Sequence, residues 1–447
     1  MQRDLTRGSV WGNIVYFSLP FLLSYFLQTL YGLADLFIVG QYNGSDIISA
    51  VSVGSQVMHM LTVVIVGLAM GSTVMIGKAV GGKDSRGESR AIGNTVSLFA
   101  IIATVFTVIL LLLTDEIVAV MMTPAEAVAE TEAYLTICFW GIPFITAYNI
   151  ISSILRGRGD SKSPMYFVAV ACVINIVLDI VFIGFFDMKA AGAALGTVLS
   201  QTASVAFAAI ALFKNKTFSA VRLSDLRPDV SVLSELLKIG VPIAFQDAFI
   251  QISFIVITVI ANTRGVEIAA AVGIVEKIIS ILFLVPSAML STVSALSAQN
   301  IGAGHHERAR KTMLGGIIIT VVFGTLCTVV CQFIASPLVA MFSDEAHVIT
   351  FGAQYLRSYV FDCIVAGIHF CFSGLFCAYG HSMISFMHNA IAIILVRIPG
   401  TYFAATLFPN NLFPMGLASP LGSLLSAIVC VFMYIYIRKK QRFAGIA

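Results

Sequence analysis

Long apolar runs, broken by short polar clusters, recur from one end of the chain to the other. They fall at 14–39, 47–77, 92–113, 133–155, 165–186, 190–213, 233–261, 267–299, 312–334, 350–378, 383–407 and 414–437. Each is long enough to cross a hydrocarbon layer about 30 Å thick as a helix. None alternates apolar and polar residues as a barrel strand does. A helix is then the spanning structure that satisfies its own backbone hydrogen bonds. The pattern predicts an all-α polytopic membrane protein of about twelve spans. One longer polar stretch, running from Lys214 to Lys238 and containing RLSDLRPD, separates spans six and seven. The expected division is a six-helix bundle over 1–213, a cytoplasmic linker over 214–232 and a second six-helix bundle over 233–447. The first apolar run is too long for the core of a cleavable signal, so it is expected to stay as a span.

Composition agrees with this reading and narrows it. Apolar residues are 58% of the chain and charged residues 11%, against about 25% charged in a soluble domain. The eight cysteines lie almost entirely inside apolar stretches, which points away from a disulfide framework or a zinc site. Cys327 and Cys331 stand one helical turn apart and read as packing residues. All but five of the 26 Lys and Arg lie in the N-terminus, the even-numbered loops with their flanks, and the C-terminus. The exceptions are Lys189 and Arg264 in odd loops, and Lys277, Arg357 and Arg397 within spans. This bias places both termini in the cytoplasm. The net charge of +3 is thus a topology signal, and no basic stripe suggests nucleic acid.

The halves echo each other at a shift of about 221 residues. AVGGKDSRGESR (79–90) lies over NIGAGHHERAR (300–310), LRGRGDSKS (155–163) over FCAYGHSMI (376–384), and AGAAL (191–195) over MGLAS (415–419). Three matches at nearly one period indicate duplication. Six spans per half give both halves the same polarity, which predicts a pseudo-two-fold axis along the membrane normal. Transporters built this way bind substrate at the repeat interface.

Five acids fall at membrane depth: Asp35, Asp179, Asp247, Glu276 and Asp362. A charge there costs roughly 3 kcal/mol or more, so each needs a partner, a proton or water. Asp35 sits mid-span in YGLADLFIVG. Asn175 and Asp179 are four apart in NIVLD and share a helix face. Span six opens GAALGT, where Gly192 and Gly196 permit close helix approach and Thr197 follows. If spans one, five and six meet, these groups form a proton site or a hard-oxygen site for sodium. The second half is less ordered. Gln246 and Asp247 follow Pro242, Glu276 precedes Lys277, and Arg397 is one candidate partner for Asp362 between spans ten and eleven. Gln246, Asp247, Glu276 and Asp362 are candidates for the substrate path. Pro20 lies fifteen residues before Asp35 on the same span, so a bend there is expected to respond to the state of Asp35. The sixteen Met and thirty-three Phe offer material for an adaptable apolar cavity. His59, His369 and His388 are isolated in sequence and read as structural.

The pattern resembles the multidrug and toxic compound extrusion (MATE) family over essentially the whole chain. The residues that carry the resemblance are SLPFLLSYFLQTLYGLADLFIVG in span one, LRGRGDSKSPM after span four, NIVLD in span five, GAALGT in span six and AQNIGAG after span eight. Within that family the chain is similar to the DinF-like branch. The branch's N-terminal cluster falls on Asp35, Asn175, Asp179 and Thr197, its span-four tyrosine on Tyr134, and its span-one proline on Pro20. The NorM-like branch uses acids of spans seven and ten, and here Asp247 and Asp362 are about a turn displaced from those positions.

The resemblance implies a monomeric, multi-pass antiporter of the cytoplasmic membrane that takes small amphipathic, often cationic substrates. It implies no cofactor beyond a coupling proton or sodium ion and no enzymatic activity. No Walker motif is present to bind ATP. The alternative is a lipid-linked oligosaccharide flippase of the same superfamily, which would want a strongly basic cavity. A prenyltransferase would need Asp-rich magnesium motifs, and a haem protein would need facing histidines.

Overall fold

The computed structural model describes residues 4–214 and 221–443. Residues 215–220 of the expected linker, the first three residues and the last four lie outside the described part. Among the described residues all regular structure is helical. Twelve helices are long and apolar enough to span a membrane. In chain order, spans one to six are Val10–Tyr42, Ser45–Gly81, Ser85–Leu112, Ala125–Gly157, Lys162–Phe185 and Lys189–Leu212. Spans seven to twelve are Val230–Asn262, Val266–Gly302, His306–Ala340, Ala346–Tyr379, Ser382–Leu407 and Phe413–Lys439.

Most helices run past the ends that hydropathy assigned them. Hydropathy marks the stretch that matches hydrocarbon, whereas a helix continues until its backbone is capped. Span three shows this: apolarity begins near residue 92, but the helix starts at Ser85, where Asp84 accepts a hydrogen bond from the Gly87 amide at 2.8 Å. Span seven likewise begins next to Asp229, whose carboxylate accepts from the Ser231 amide at 3.0 Å.

The chain forms two compact units, but they do not divide at the linker. One unit holds Met1–Asp4 and Leu19–Gly240, the other Leu5–Ser18 and Val241–Ala447. The opening of span seven therefore belongs with the first half, and the opening of span one with the second. Sequence order suggests a clean division at 214–232, and side-chain contacts explain the difference.

In the first unit the linker is bound to span three. Asp225 is buried and meets Arg86 at 3.2 Å. Asn94 accepts from the Asp229 amide at 2.7 Å, and Arg90 pairs with the Asp229 carboxylate. The Ser231 hydroxyl, with Arg90 and the Ser231 amide, holds the Asp229 carboxyl down to about 2. Its contribution to anchoring is thus present above the ordinary carboxylate range and is lost as pH falls through about 2. Beyond the linker, span seven lies backbone to backbone on span two. A Cβ on Gly71 would stand 2.2 Å from the Leu236 carbonyl oxygen, and one on Gly240 would stand 2.3 Å from that of Leu68. In lipid such approach replaces the hydrophobic effect as the packing force.

In the second unit the same device holds the N-terminal segment. Arg308 donates to the Gly8 carbonyl at 3.0 Å and to Asn300 at 3.1 Å. The Asn13 amide donates to the carbonyls of Leu5 and Arg7. The repeated loops thus have one task. Each fixes the segment that leads into the first span of the other half. Span four is the most buried span of the first unit, and span ten is the most buried of the second.

Gly240→Leu is expected to lower the thermal midpoint of the purified protein, at about 1–3 kcal/mol for overpacking. Gly273→Leu, at a position with nothing within 4 Å, serves as the control and should change little. Equal midpoints for the two variants would remove the packing role of Gly240.

Candidate functional site

The first unit brings spans one, five and six together around a buried polar cluster. Asp35, Asn175 and Asp179 are 3%, 1% and 0% exposed. Thr197 donates from its hydroxyl to Asp35 Oδ2 at 3.3 Å. Asp179 lies within reach of Asp35, and Asn175 acts on Asp35 from close by without a hydrogen bond to it. The i,i+4 spacing of NIVLD puts amide and carboxylate on one face of span five, and that face meets Asp35. Gly196 supplies the room, because a Cβ there would stand 2.1 Å from Asp179 Oδ1. Span six therefore lays bare backbone against the carboxylate. The four residues that sequence singled out from spans one, five and six are in one place.

Two carboxylates within hydrogen-bonding reach present only acceptors to each other. The contact becomes a hydrogen bond when one of them carries a proton, or becomes a ligand pair when a cation lies between them. Asp35 Oδ1, both oxygens of Asp179 and both polar atoms of Asn175 have no hydrogen-bond partner in the protein. Four of these five atoms are hard oxygens of the kind an alkali cation takes, and the carboxylate pair is equally a place where one proton would be shared. The cluster fits either ion.

Tyr134 stands one step back. Its hydroxyl is 3.1 Å from Ser55 Oγ, its ring packs over Gly54 of span two, and it is near enough to Asp35 to feel its charge. It flanks the cluster and makes no hydrogen bond to it. Pro20 lies inside a continuous helix, and its carbonyl accepts from Ser24 at 2.9 Å.

The acids of the second half surround a cation that is not directly paired. Among the described residues Arg397 forms no ion pair with Asp362. It donates instead to the Tyr359 hydroxyl at 2.6 Å, and its guanidinium carbon lies 4.7 Å over the Phe254 ring. Asp362 and Glu276 act on Arg397 through space. The candidate Asp362–Arg397 pair is therefore not a direct bridge here. Span eleven winds as a π-helix over Ile393–Arg397, and that register carries the guanidinium to Tyr359. Asp362 is buried with both oxygens unpartnered. Glu276 accepts from Thr258 at 3.2 Å, and Lys277 beside it is exposed. Gln246 is wholly buried with both amide atoms unpartnered, whereas Asp247 is partly exposed.

Two features were not read from the sequence. Span five turns into a π-helix at Ile180–Phe185, directly after Asp179, so the fifth span of each half carries a π segment beside a charged residue. Apolar sequence gives no sign of a local register change. His369 and His388 are also not isolated. Their rings lie 5.4 Å apart, and His388 sits between Ser373 at 2.9 Å and Ser426 at 3.2 Å.

The MatE family profile matches the chain twice, over 20–181 and 242–403. The two matches begin at Pro20 and Pro242 and follow the duplication. The chain is 29% identical over 440 residues to the probable multidrug resistance protein YpnP of Bacillus subtilis (strain 168), covering 98% of this chain and 97% of that one. It is 25% identical over 407 residues to the multidrug export protein MepA of Staphylococcus aureus (strain MSSA476), covering 90% and 89%. Its fold resembles that of a crystallised MATE protein in complex with MaL6, with a TM-score of 0.90 at 22% identity over 99% and 98% of the two chains. A MOP superfamily transporter from Pyrococcus furiosus aligns with a TM-score of 0.91 at 23% identity, over 98% of each chain. The chain belongs to the MatE family.

Gly196→Ala is expected to displace the Asp179 carboxylate and to lower the thermal midpoint more than Gly192→Ala, where the nearest atom is 3.1 Å away. A larger drop for Gly192→Ala would mean that the carboxylate does not need the bare backbone of Gly196.

Proposed function

We propose that this MatE-family chain is a secondary active exporter. It moves small amphipathic, often cationic xenobiotics out across the cytoplasmic membrane in exchange for protons or sodium, as a monomer with both termini in the cytoplasm. The observation that carries the reading is the Asp35–Asp179 contact, a buried pair of carboxylates without a resident counter-cation. Relatives named for multidrug resistance and export support it.

The exchange follows from charge. With both carboxylates ionised, the cluster is incomplete without a positive charge. A unit cation held about 7 Å from one carboxylate gains roughly 2 kcal/mol at an effective dielectric of about 20. A proton or sodium ion entering the cluster cancels that attraction, so ion and substrate compete for the same charge. Moving one charge through 100 mV supplies about 2.3 kcal/mol, a gain similar to the attraction it must overcome. Asn175 and Thr197 complete the donor set, and Tyr134 forms its wall toward span two.

Pro20 links the site to the helix that bears it. Proline removes the hydrogen bond to the Tyr16 carbonyl and makes bending cheap. The change in charge at Asp35 thus acts on a helix already weakened about four turns away. In the second half, Gln246, Asp247, Glu276 and Asp362 offer further polar contacts along the substrate path.

The test is ethidium transport by proteoliposomes with proton and sodium gradients imposed separately. The wild type should move ethidium uphill under one of them, and Asp35→Asn, still folded by its melting profile, should lose at least tenfold. Undiminished transport in Asp35→Asn would refute the assignment. Absence of transport by folded wild type under either gradient would favour the lipid-linked flippase. Pro20→Ala is expected to transport more slowly and with a weaker dependence on the gradient. Wild-type ion coupling in that variant would remove the hinge.

A further inference from the structure

We propose that a seam of hydroxyl and amide groups inside the first unit conducts the coupling proton between the Asp35–Asp179 cluster and the cytoplasmic end of span one. The inference rests on the exporter reading above and adds to it the ion and the route. Span one turns Leu23, Phe26, Leu30, Leu33 and Phe37 outward, and all five are exposed. Its inner face carries Ser24, Gln28, Tyr31 and Asp35, at steps of four, three and four residues. Span four repeats the device with Tyr148, Ser152 and Arg156, and span six with Thr197 and Gln201. Apolar side chains would pack the same helices without the cost of burying polar groups. A polar stripe that continues for three turns beyond the charged pair therefore calls for a task.

The groups of the stripe follow one another closely. Tyr31 stands one turn before Asp35 and within its field. Gln201 acts on the Tyr31 hydroxyl from close by, and the Tyr148 phenol is near enough to feel its charge. Gln28 in turn acts on Tyr148. Gln201 Oε1 and Ser152 Oγ are buried with no hydrogen-bond partner in the protein. Beside Tyr148 and Gln28 lies a cavity of about 20 Å³, walled also by Ser24, Tyr25, Val66 and Arg156. Such a cavity has room for one water molecule. Hydroxyls thus reach from the carboxylate pair to a one-water cavity on the cytoplasmic side of it.

This chemistry suits a proton. A hydroxyl donates and accepts at one oxygen. A proton leaving the Asp35 carboxyl is taken by the Tyr31 oxygen while that hydroxyl gives its own proton to the next oxygen, of Tyr148 or of the water. One O–H bond breaks for each that forms, and the net change is one proton displaced. The amides of Gln201 and Gln28 hold the hydroxyls in line and are not carriers. Arg156, near the C-terminal end of span four, is fixed by the Ser152 carbonyl at 3.0 Å and by the Phe21 ring at 4.8 Å. Its charge disfavours a cation at rest there, so a proton is passed on and not retained. A sodium ion must keep a shell of oxygens around it as it moves, which a one-water passage does not offer. The route therefore selects the proton.

The test separates proton transfer from movement of the helices. Proteoliposomes of the full-length protein are assayed in two modes: uphill ethidium movement driven by a proton gradient, and exchange of radiolabelled for unlabelled ethidium at equal pH, which needs no net proton transfer. Tyr31→Phe and Gln201→Leu should slow the driven mode roughly fivefold or more and leave exchange within about twofold of the wild type. Val66→Ile adds one methylene to the cavity wall without touching a polar group, should have the same effect, and serves if Tyr31→Phe does not fold. Thr202→Val, whose hydroxyl is taken up by the Val198 carbonyl of its own helix at 2.8 Å, should match the wild type in both modes. Equal losses in the two modes would make these residues structural and overturn the route, as would undiminished driven transport in Tyr31→Phe and Val66→Ile. A wild type driven by sodium and not by protons overturns the route and leaves the exporter reading standing. A folded wild type that moves ethidium under neither gradient overturns both.

Discussion

Two carboxylates in hydrogen-bonding reach of each other, both out of water, set the terms for the first half of this protein. Asp35 and Asp179 cannot both be ionised there without a compensating charge, and no side chain in the cluster supplies one. The surrounding residues make sense as the conditions for holding such a pair. Gly196 lets span six approach until bare backbone faces Asp179. Thr197 spends its one hydroxyl proton on Asp35. The π segment that follows Asp179 adds a residue to the turn at the place where span five must aim two side chains, and such segments recur at functional sites. An uncommitted pair of acids is costly in a stable fold unless a proton or a cation shares its charge.

The second half reuses the scaffold with different chemistry. Tyr134 and Tyr355 correspond at the repeat shift, and both are fully packed. The π segment of span five begins just after an acid, whereas that of span eleven ends at a base. Arg397 is a permanent cation, held by Tyr359 and Phe254 and within the field of Glu276 and Asp362. The first half thus leaves its carboxylates without a cationic side chain, and the second fills the comparable region from its own side chains. Duplication preserved the helix packing while the polar interior diverged, because packing constrains volume at every contact and a buried charge needs only local compensation.

Elements governed by local pattern could be read from the sequence. Twelve apolar runs became twelve spans, since length and hydropathy alone decide what crosses hydrocarbon. The Asp35–Asn175–Asp179–Thr197 cluster was legible because i,i+4 spacing fixes a helix face and a buried acid demands company. What sequence could not supply depends on position in space. The division of spans one and seven between units rests on contacts such as Arg308 to Gly8, three hundred residues apart. Arg397 looked like the partner of Asp362 because charge is visible in sequence, but the π register that brings it to Tyr359 is not. His369 and His388 seemed isolated because nineteen positions separate them, and only helix packing brings their rings together.

The exchange of helix beginnings gives the prolines their meaning. Span one changes unit between Ser18 and Leu19, and span seven between Gly240 and Val241. Pro20 and Pro242 each stand two residues past those points, and both family matches begin at them. A continuous helix with its two ends bound to different bodies resists any displacement of one end against the other. An unbroken hydrogen-bond ladder would have to strain along its length. A proline removes one rung and relieves the ladder at a chosen place. The first turns of span seven cannot yield instead, since Gly71 and Gly240 lock them to span two at backbone distance. The N-terminal segment is fixed in the same way by Asn13 and Arg308. Both prolines thus stand just past helix beginnings that are held by contacts to other elements. In span one that proline lies on the same helix as Asp35, one of the two carboxylates, while Asp179 stands on span five.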